Sequence, residues 1–148
     1  MEFKTPFTLK AEHEELHKML KDATQLSGKT GEAAKVVAKL MHPHFIKEEE
    51  YALPPLGLLP MLAEGNISTE MKSVLTMTDK LKSELPEMLA EHKQIVAALQ
   101  ELVKVSKTEN HIEVASFAEK LILHARTEEE VSYPTAILIG EYLKLKLK

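Results

Sequence analysis

The chain has 148 residues, 44% hydrophobic and 28% charged, which is long enough for one domain with a buried core. Its net charge of −4, with acids and bases interspersed, argues against a nucleic-acid partner. The absence of cysteine excludes disulfides and thiolate metal sites, and leaves imidazole and carboxylate as ligands for iron, manganese or zinc. The amino terminus is acidic and has no long apolar stretch, so we expect a cytoplasmic protein with no membrane span.

The first half of the chain is predicted to form two helices. The first begins near Thr5 or Thr8, either of which can cap it, and stops before a turn at residues 28–31. The second begins after that turn and runs to about Leu53, where two prolines follow. Pro43 removes one helical hydrogen bond, so we predict a kink within this helix.

The middle of the chain predicts an ordered connection and a third helix. Residues 54–67 are apolar and rich in proline and glycine, which is typical of a packed connection rather than a flexible linker. The third helix follows from Ser68. Pro86 either divides it, with Ser83 capping a second helix, or kinks one long helix.

A fourth helix is predicted from about Asn110. Pro134 ends it and is well placed to open a last, short helix at residues 134–146. No alternating pattern typical of a strand stands out before the last few residues. We therefore predict an all-α protein of four core helices and a short fifth.

Two stretches of the chain carry the same motif. Residues 44–54, HFIKEEEYALP, and residues 124–134, HARTEEEVSYP, share the pattern H-x-x-x-E-E-E-x-x-x-P. A Glu-His pair precedes each copy, Glu12-His13 before the first and Glu91-His92 before the second. This arrangement indicates that one helical hairpin has been duplicated.

The repeated residues have the spacing of metal ligands. On a helix, positions i and i+4 lie on the same face, so a histidine and the acid four residues later can reach one ion. Glu48 also falls on an apolar stripe, where a charge is costly unless it is paired or binds a metal. The set is too large for one tetrahedral zinc and favours a carboxylate-bridged two-metal centre in a four-helix bundle. The candidate metal ligands are His13, His44, Glu48, His92, His124 and Glu128.

These motifs make residues 1–148 resemble a single domain of the hemerythrin-like family, also called the HHE cation-binding domain. The likeness is carried, in order, by EH, HFIKEEE, EH and HARTEEE, one motif on each core helix. The resemblance implies an up-down-up-down four-helix bundle around two non-heme irons, with manganese or zinc as alternatives. It also implies a ligand arrangement, in which His13 and His44 bind one iron, His92 and His124 bind the other, and Glu48 and Glu128 bridge them.

The chain departs from the oxygen-carrying members of the family in two places. The carriers have a second histidine four residues from the one on the third helix, but Met88 and Val96 stand there. His17, four residues after the first candidate ligand, offers either a seventh ligand or simple packing. The carriers' fourth-helix acid is spaced five after its histidine, which is Glu129 here, whereas helical phase favours Glu128.

A tyrosine also falls on the predicted inner face. Tyr51 is seven residues after His44, so it either donates a hydrogen bond to a bound oxygen species or is an ordinary core tyrosine.

Three functions remain open from the sequence. The first is a non-heme di-iron protein that binds or senses dioxygen or a related small molecule, or handles iron, rather than a typical enzyme. The second is a di-iron oxidase or peroxidase acting on peroxide or nitric oxide. The third is a structural or interaction module held together by a metal such as zinc. The missing carrier histidine leaves open coordination positions, which favours reactivity over reversible carriage.

Overall fold

Four long helices form the body of the molecule. The computed structural model describes residues 1–148 and contains no strand. In chain order its α-helices are α1 (Phe7–Thr24), α2 (Gly28–Lys47), α3 (Leu59–Ala63), α4 (Leu75–Thr108), α5 (Ile112–Thr127) and α6 (Tyr133–Lys146). Each of α1, α2, α4 and α5 packs on the next of these four along the chain, and α5 returns to contact α1. The predicted all-α bundle with a short last helix is confirmed.

The apolar faces of the helices meet in two separate cores. The first core lies between α1, α2, α5 and the second half of α4, and includes Leu20, Val37 and Leu99. The second core lies between the first half of α4, α6 and the connection before α3, and includes Leu81 and Ile139. Helix α4 spans 34 residues and contributes to both cores.

Helix α2 begins earlier than predicted. The expected turn at residues 28–31 is instead the first turn of the helix, which starts at Gly28 with a φ of 79°. The carboxylate of Glu109 accepts hydrogen bonds from the backbone N–H of Lys29 at 3.1 Å and of Thr30 at 2.7 Å. These bonds satisfy the unpaired N–H groups at the helix start, so the cap is supplied from the far end of α4.

Prolines lie inside two of the long helices without ending them. Helix α4 runs unbroken through Pro86, so the single-helix alternative is correct, and Ser83 caps nothing. The predicted cap at Ser68 is present, but it starts a 3₁₀ turn, Thr69–Val74, and α4 itself begins after this turn, at Leu75. Helix α2 likewise continues through Pro43, and the kinks remain predictions.

Both copies of the repeated motif end in a π-helical turn. Glu48–Ala52 follows α2 and Glu128–Ser132 follows α5. In each turn the carbonyl of the first glutamate accepts a hydrogen bond from the N–H five residues later, on Leu53 or on Tyr133. The fourth helix therefore does not run to Pro134 as predicted. It ends at Thr127 and passes through the π turn into α6.

The connection after α2 is ordered and largely buried, as predicted. Pro54–Leu58 forms a 3₁₀ turn that packs against α6. Helix α6 in turn lies close against α4, since a Cβ added at Gly140 would come within 2.2 Å of the Thr78 hydroxyl oxygen. No helix in the structure has both the length and the apolar character needed to cross a membrane.

Candidate metal centre

The six predicted ligands form one polar layer between the two cores. Along α2, for example, Met41 belongs to the first core and Tyr51 to the second, while His44 and Glu48 lie between them. Both of these polar side chains are buried, and Glu48 has no exposed surface. Because burying so many polar groups is costly without partners, the layer needs a specific explanation.

One half of the layer is built by α1, α5 and the second π turn. The Nε2 atoms of His13 and His124 lie 3.1 Å apart. Each of them is also 3.3 Å from the Oε2 atom of Glu128. Two imidazole nitrogens and one carboxylate oxygen thus converge on a single point, in a set that can hold a metal ion.

The other half is built by α2, α4 and the first π turn. The Nε2 atoms of His44 and His92 lie 2.8 Å apart. Glu128 reaches this half with its second oxygen, Oε1, which is 3.5 Å from His92 Nε2. Glu48 Oε1 lies 3.7 Å from His44 Nε2. Glu128 is therefore shared between the two halves, as a bridging carboxylate requires.

The histidines pair differently from the arrangement that the resemblance implied. That arrangement placed His13 with His44 and His92 with His124, whereas the structure brings His13 next to His124 and His44 next to His92. Helix α1 meets α5, and α2 meets α4, so each pair joins two helices that are neighbours in the bundle.

Carboxylates fix the tautomer of both histidines in the second half. His44 Nδ1 lies 3.1 Å from Glu91 Oε1, and His92 Nδ1 lies 3.1 Å from Glu129 Oε1. An ionised carboxylate only accepts, so each Nδ1 carries the hydrogen and donates it. The two Nε2 atoms then carry no hydrogen, and their lone pairs face each other. A cation bound by both nitrogens would stabilise this arrangement. Histidines that bind metal through one ring nitrogen commonly donate a hydrogen bond from the other to a carboxylate.

In the first half only one of the two histidines has a carboxylate next to its Nδ1 atom. His124 Nδ1 lies 2.5 Å from Glu12 Oε1, but the buried Nδ1 of His13 has no hydrogen-bond partner. By the duplication its partner would be Glu49, which instead is exposed. Together with Leu53, His13 and Glu49 line an open cavity of about 800 Å³. This side of the centre is therefore the one that solvent approaches.

The two buried glutamates differ in their electrostatics. Burial raises the pKa of Glu48 well above its usual range, and repulsion by Glu128 raises it further. Burial acts on the pKa of Glu128 in the same direction, but the close approach of Glu48 and of three imidazoles, those of His124, His13 and His92, holds that pKa well below the usual range. One oxygen of Glu48, Oε1, has no hydrogen-bond partner although it is buried. A buried carboxylate oxygen with no partner, aimed at bare imidazole nitrogens, fits a metal ligand.

Tyr133 is the central residue that the sequence analysis missed. Its hydroxyl oxygen lies 3.1 Å from the Nε2 atoms of both His44 and His92, and it donates to Glu48 Oε2 at 2.9 Å. The side chain is fully buried, and this burial raises the pKa of the phenol. In an α-helix, residues five apart point in different directions, but a π turn brings Tyr133 back over Glu128.

For Tyr51 and His17 the structure supports the packing alternative over contact with a bound ligand. The Tyr51 hydroxyl donates to Glu84 and contacts Met88 Sδ at 3.8 Å, so it does not face the histidines. His17 is exposed and packs its ring against Phe45, with the centroids 5.5 Å apart. The hydroxyl that lies at the centre belongs to Tyr133.

The comparison with protein families agrees with this geometry. The family model described as the hemerythrin HHE cation-binding domain matches residues 6–136. The chain belongs to this family. No individual curated protein and no solved structure matches it significantly. As an HHE domain it is a cation-binding protein, and its two groups of histidine and glutamate can hold metal.

Proposed function

We propose that this HHE domain holds two non-heme irons and uses them to bind or sense dioxygen or a related small molecule, such as nitric oxide or peroxide. The observation that carries the proposal is the facing pairs of imidazole nitrogens. Each pair lies next to one oxygen of Glu128, and three of the four imidazoles have a carboxylate on the opposite nitrogen. When bound, the irons supply open coordination positions and exchangeable electrons.

The residues around the layer support a small ligand. The two cores close the layer above and below with apolar side chains, which leaves no room there for a large substrate. Access remains beside His13, where the cavity reaches the edge of the layer. The lining of the cavity is mixed in charge, since it contains both Lys4 and Lys10 and the acids Glu2, Glu14 and Glu49. This lining does not select strongly for one charge, as suits a neutral diatomic molecule.

The test is the metal content and visible absorption of the iron-loaded, reduced protein. Spectra are recorded without oxygen, after oxygen is admitted and after it is removed. A charge-transfer band that appears and then disappears supports reversible binding, and a band that persists supports redox sensing. Iron that gives no response to oxygen, nitric oxide or peroxide contradicts the proposal.

Histidine variants make this test specific. His44→Ala is expected to remove the metal of one half, which lowers the content from about two to one per chain, because the half retains a single imidazole. His42 lies two residues earlier on the exposed face of the same helix. His42→Ala is therefore the matched control, and it should keep the full metal content.

A second candidate is a di-iron oxidase or peroxidase. Tyr133 favours it, because its buried hydroxyl lies in contact with the second half and can donate a hydrogen bond close to a reacting ligand. Catalytic consumption of peroxide by the iron-loaded protein would support this function. A protein that binds only zinc and responds to none of these molecules would instead be a metal-stabilised structural module.

A further inference from the structure

We propose that Tyr133 is itself a metal ligand and takes the position left by the histidine that the third helix lacks. This inference rests on the proposed metal centre. It adds a phenolate oxygen to the half that contains His44 and His92, and so makes the two metal positions chemically different.

The hydroxyl of Tyr133 lies within hydrogen-bond distance of three acceptors but can donate to only one of them. It carries one proton, yet Glu48 Oε2 lies at 2.9 Å and the Nε2 atoms of His44 and His92 both lie at 3.1 Å. Because their Nδ1 atoms donate to carboxylates, both imidazoles present bare lone pairs to the hydroxyl. If the hydroxyl donates to Glu48, neither imidazole nitrogen receives a hydrogen bond from it. A cation bound by both nitrogens and by the phenolate oxygen would satisfy all three atoms.

The spacing of the three atoms fits the face of a coordination octahedron. His44 Nε2, His92 Nε2 and the Tyr133 oxygen form a triangle with sides of 2.8, 3.1 and 3.1 Å. Nitrogen and oxygen ligands that lie about 2.0–2.2 Å from a metal at right angles are separated by about 2.8–3.1 Å. The side chain thus needs little movement to coordinate.

The duplication shows that this ligand exists on one side only. In the two copies of the motif, Tyr133 corresponds to Leu53. Leu53 offers no ligand atom and lines the open cavity beside His13. The half with His13 and His124 therefore relies on Glu128 as its third ligand and remains accessible, while the half with Tyr133 is closed. A hard, anionic phenolate favours the ferric state, so the two irons should differ in reduction potential.

Coordination exchanges the phenolic O–H bond for an oxygen–metal bond and releases one proton. The present acceptor of the hydroxyl, Glu48 Oε2, would take up that proton. No electron is transferred in this exchange.

The experiment is resonance Raman spectroscopy of the air-oxidised, iron-loaded protein, with metal content measured on the same samples. We expect a visible phenolate-to-iron band in which tyrosinate ring vibrations are enhanced. The band should be lost in Tyr133→Phe and retained in Tyr51→Phe, the matched control that also removes a buried hydroxyl bonded to a glutamate. The wild-type spectrum alone tests the inference if the variant fails to fold.

The outcomes separate the inference from the function on which it rests. Bound ferric iron without tyrosinate vibrations, or vibrations that survive in Tyr133→Phe, would overturn the role of Tyr133 and leave the metal centre standing. A wild-type protein that binds no iron would overturn both.

Discussion

Replacing Glu48 by glutamine should stabilise the metal-free protein and weaken metal binding at the same time. Glu48 has no exposed surface, and its Oε1 atom has no partner. Glutamine has nearly the same shape. Its carbonyl can accept from Tyr133 as Oε2 does, and its amide would stand near His44 Nε2, which lies 3.7 Å from Oε1 and has a free lone pair.

The size of the effect follows from the group that is removed. A buried polar atom without a partner costs about 1–3 kcal/mol, and a charged one costs more. We therefore expect the free energy of unfolding of the metal-free variant to exceed that of the wild type by about 1–3 kcal/mol at neutral pH. Metal affinity should fall by more than the roughly 10–100-fold that is typical when a residue behind a ligand is lost, because the carboxylate itself is removed.

The gain should depend on pH in a defined direction. The pKa of Glu48 is raised in the folded protein, so the wild type loses stability as pH rises from the unfolded pKa, about 4.3, towards the folded one. Below that range Glu48 is protonated in both states, and the variant and wild type should unfold alike. Their difference should then grow as pH increases.

Urea unfolding of the chelated proteins at several pH values, together with metal titration at neutral pH, measures both effects. Glu50→Gln is the matched control, since Glu50 lies on the same π turn but is exposed, and it should change neither quantity. A metal-free Glu48→Gln protein that is less stable than the wild type, or one that binds metal as tightly, would refute the reasoning.

Three further results are expected. Glu129→Gln removes the carboxylate that accepts from His92 Nδ1, and it should lower metal affinity about 10–100-fold, measured by competition with a chelator. Glu130→Gln, at an exposed position, is the control and should leave the affinity unchanged. Gly140→Ala pushes a methyl group into Thr78 and should cost about 1–3 kcal/mol in urea unfolding, a cost that Thr78→Ala should partly relieve. Removing the metal should lower the unfolding midpoint, because an ion at about 100 times its Kd stabilises the folded state by about 2.7 kcal/mol.

Helical phase was enough to predict which acid of each repeated motif lies in the polar layer with its histidine. An acid four residues after a histidine lies on the same face of an α-helix, and both pairs keep this relation because each π turn begins at the acid itself. The choice of Glu128 over Glu129 depended on the same rule. In the structure Glu128 lies in the layer, and Glu129 stands behind His92.

The same rule does not give the positions of side chains beyond those acids, because the helix changes its period there. Tyr51 is buried in the second core, as its place on the inner face predicted, but its hydroxyl donates to Glu84 and does not face the histidines. The second π turn brings Tyr133 inward. The start of α2 was missed for another reason, since its cap comes from Glu109, about 80 residues away in sequence.

The polar layer also bears on how the protein folds and fluctuates. Because the layer separates the two cores, apolar packing is interrupted across the middle of the molecule, and we expect local opening of the metal-free chain to occur more easily at this layer than within either core. Helix α4 joins them, since it is the long helix that contributes to both cores. Metal bound in this layer would link the helices on both sides of it, so we expect it to make local opening rarer. The gain or loss of an ion would in this way change how easily the protein opens at its middle.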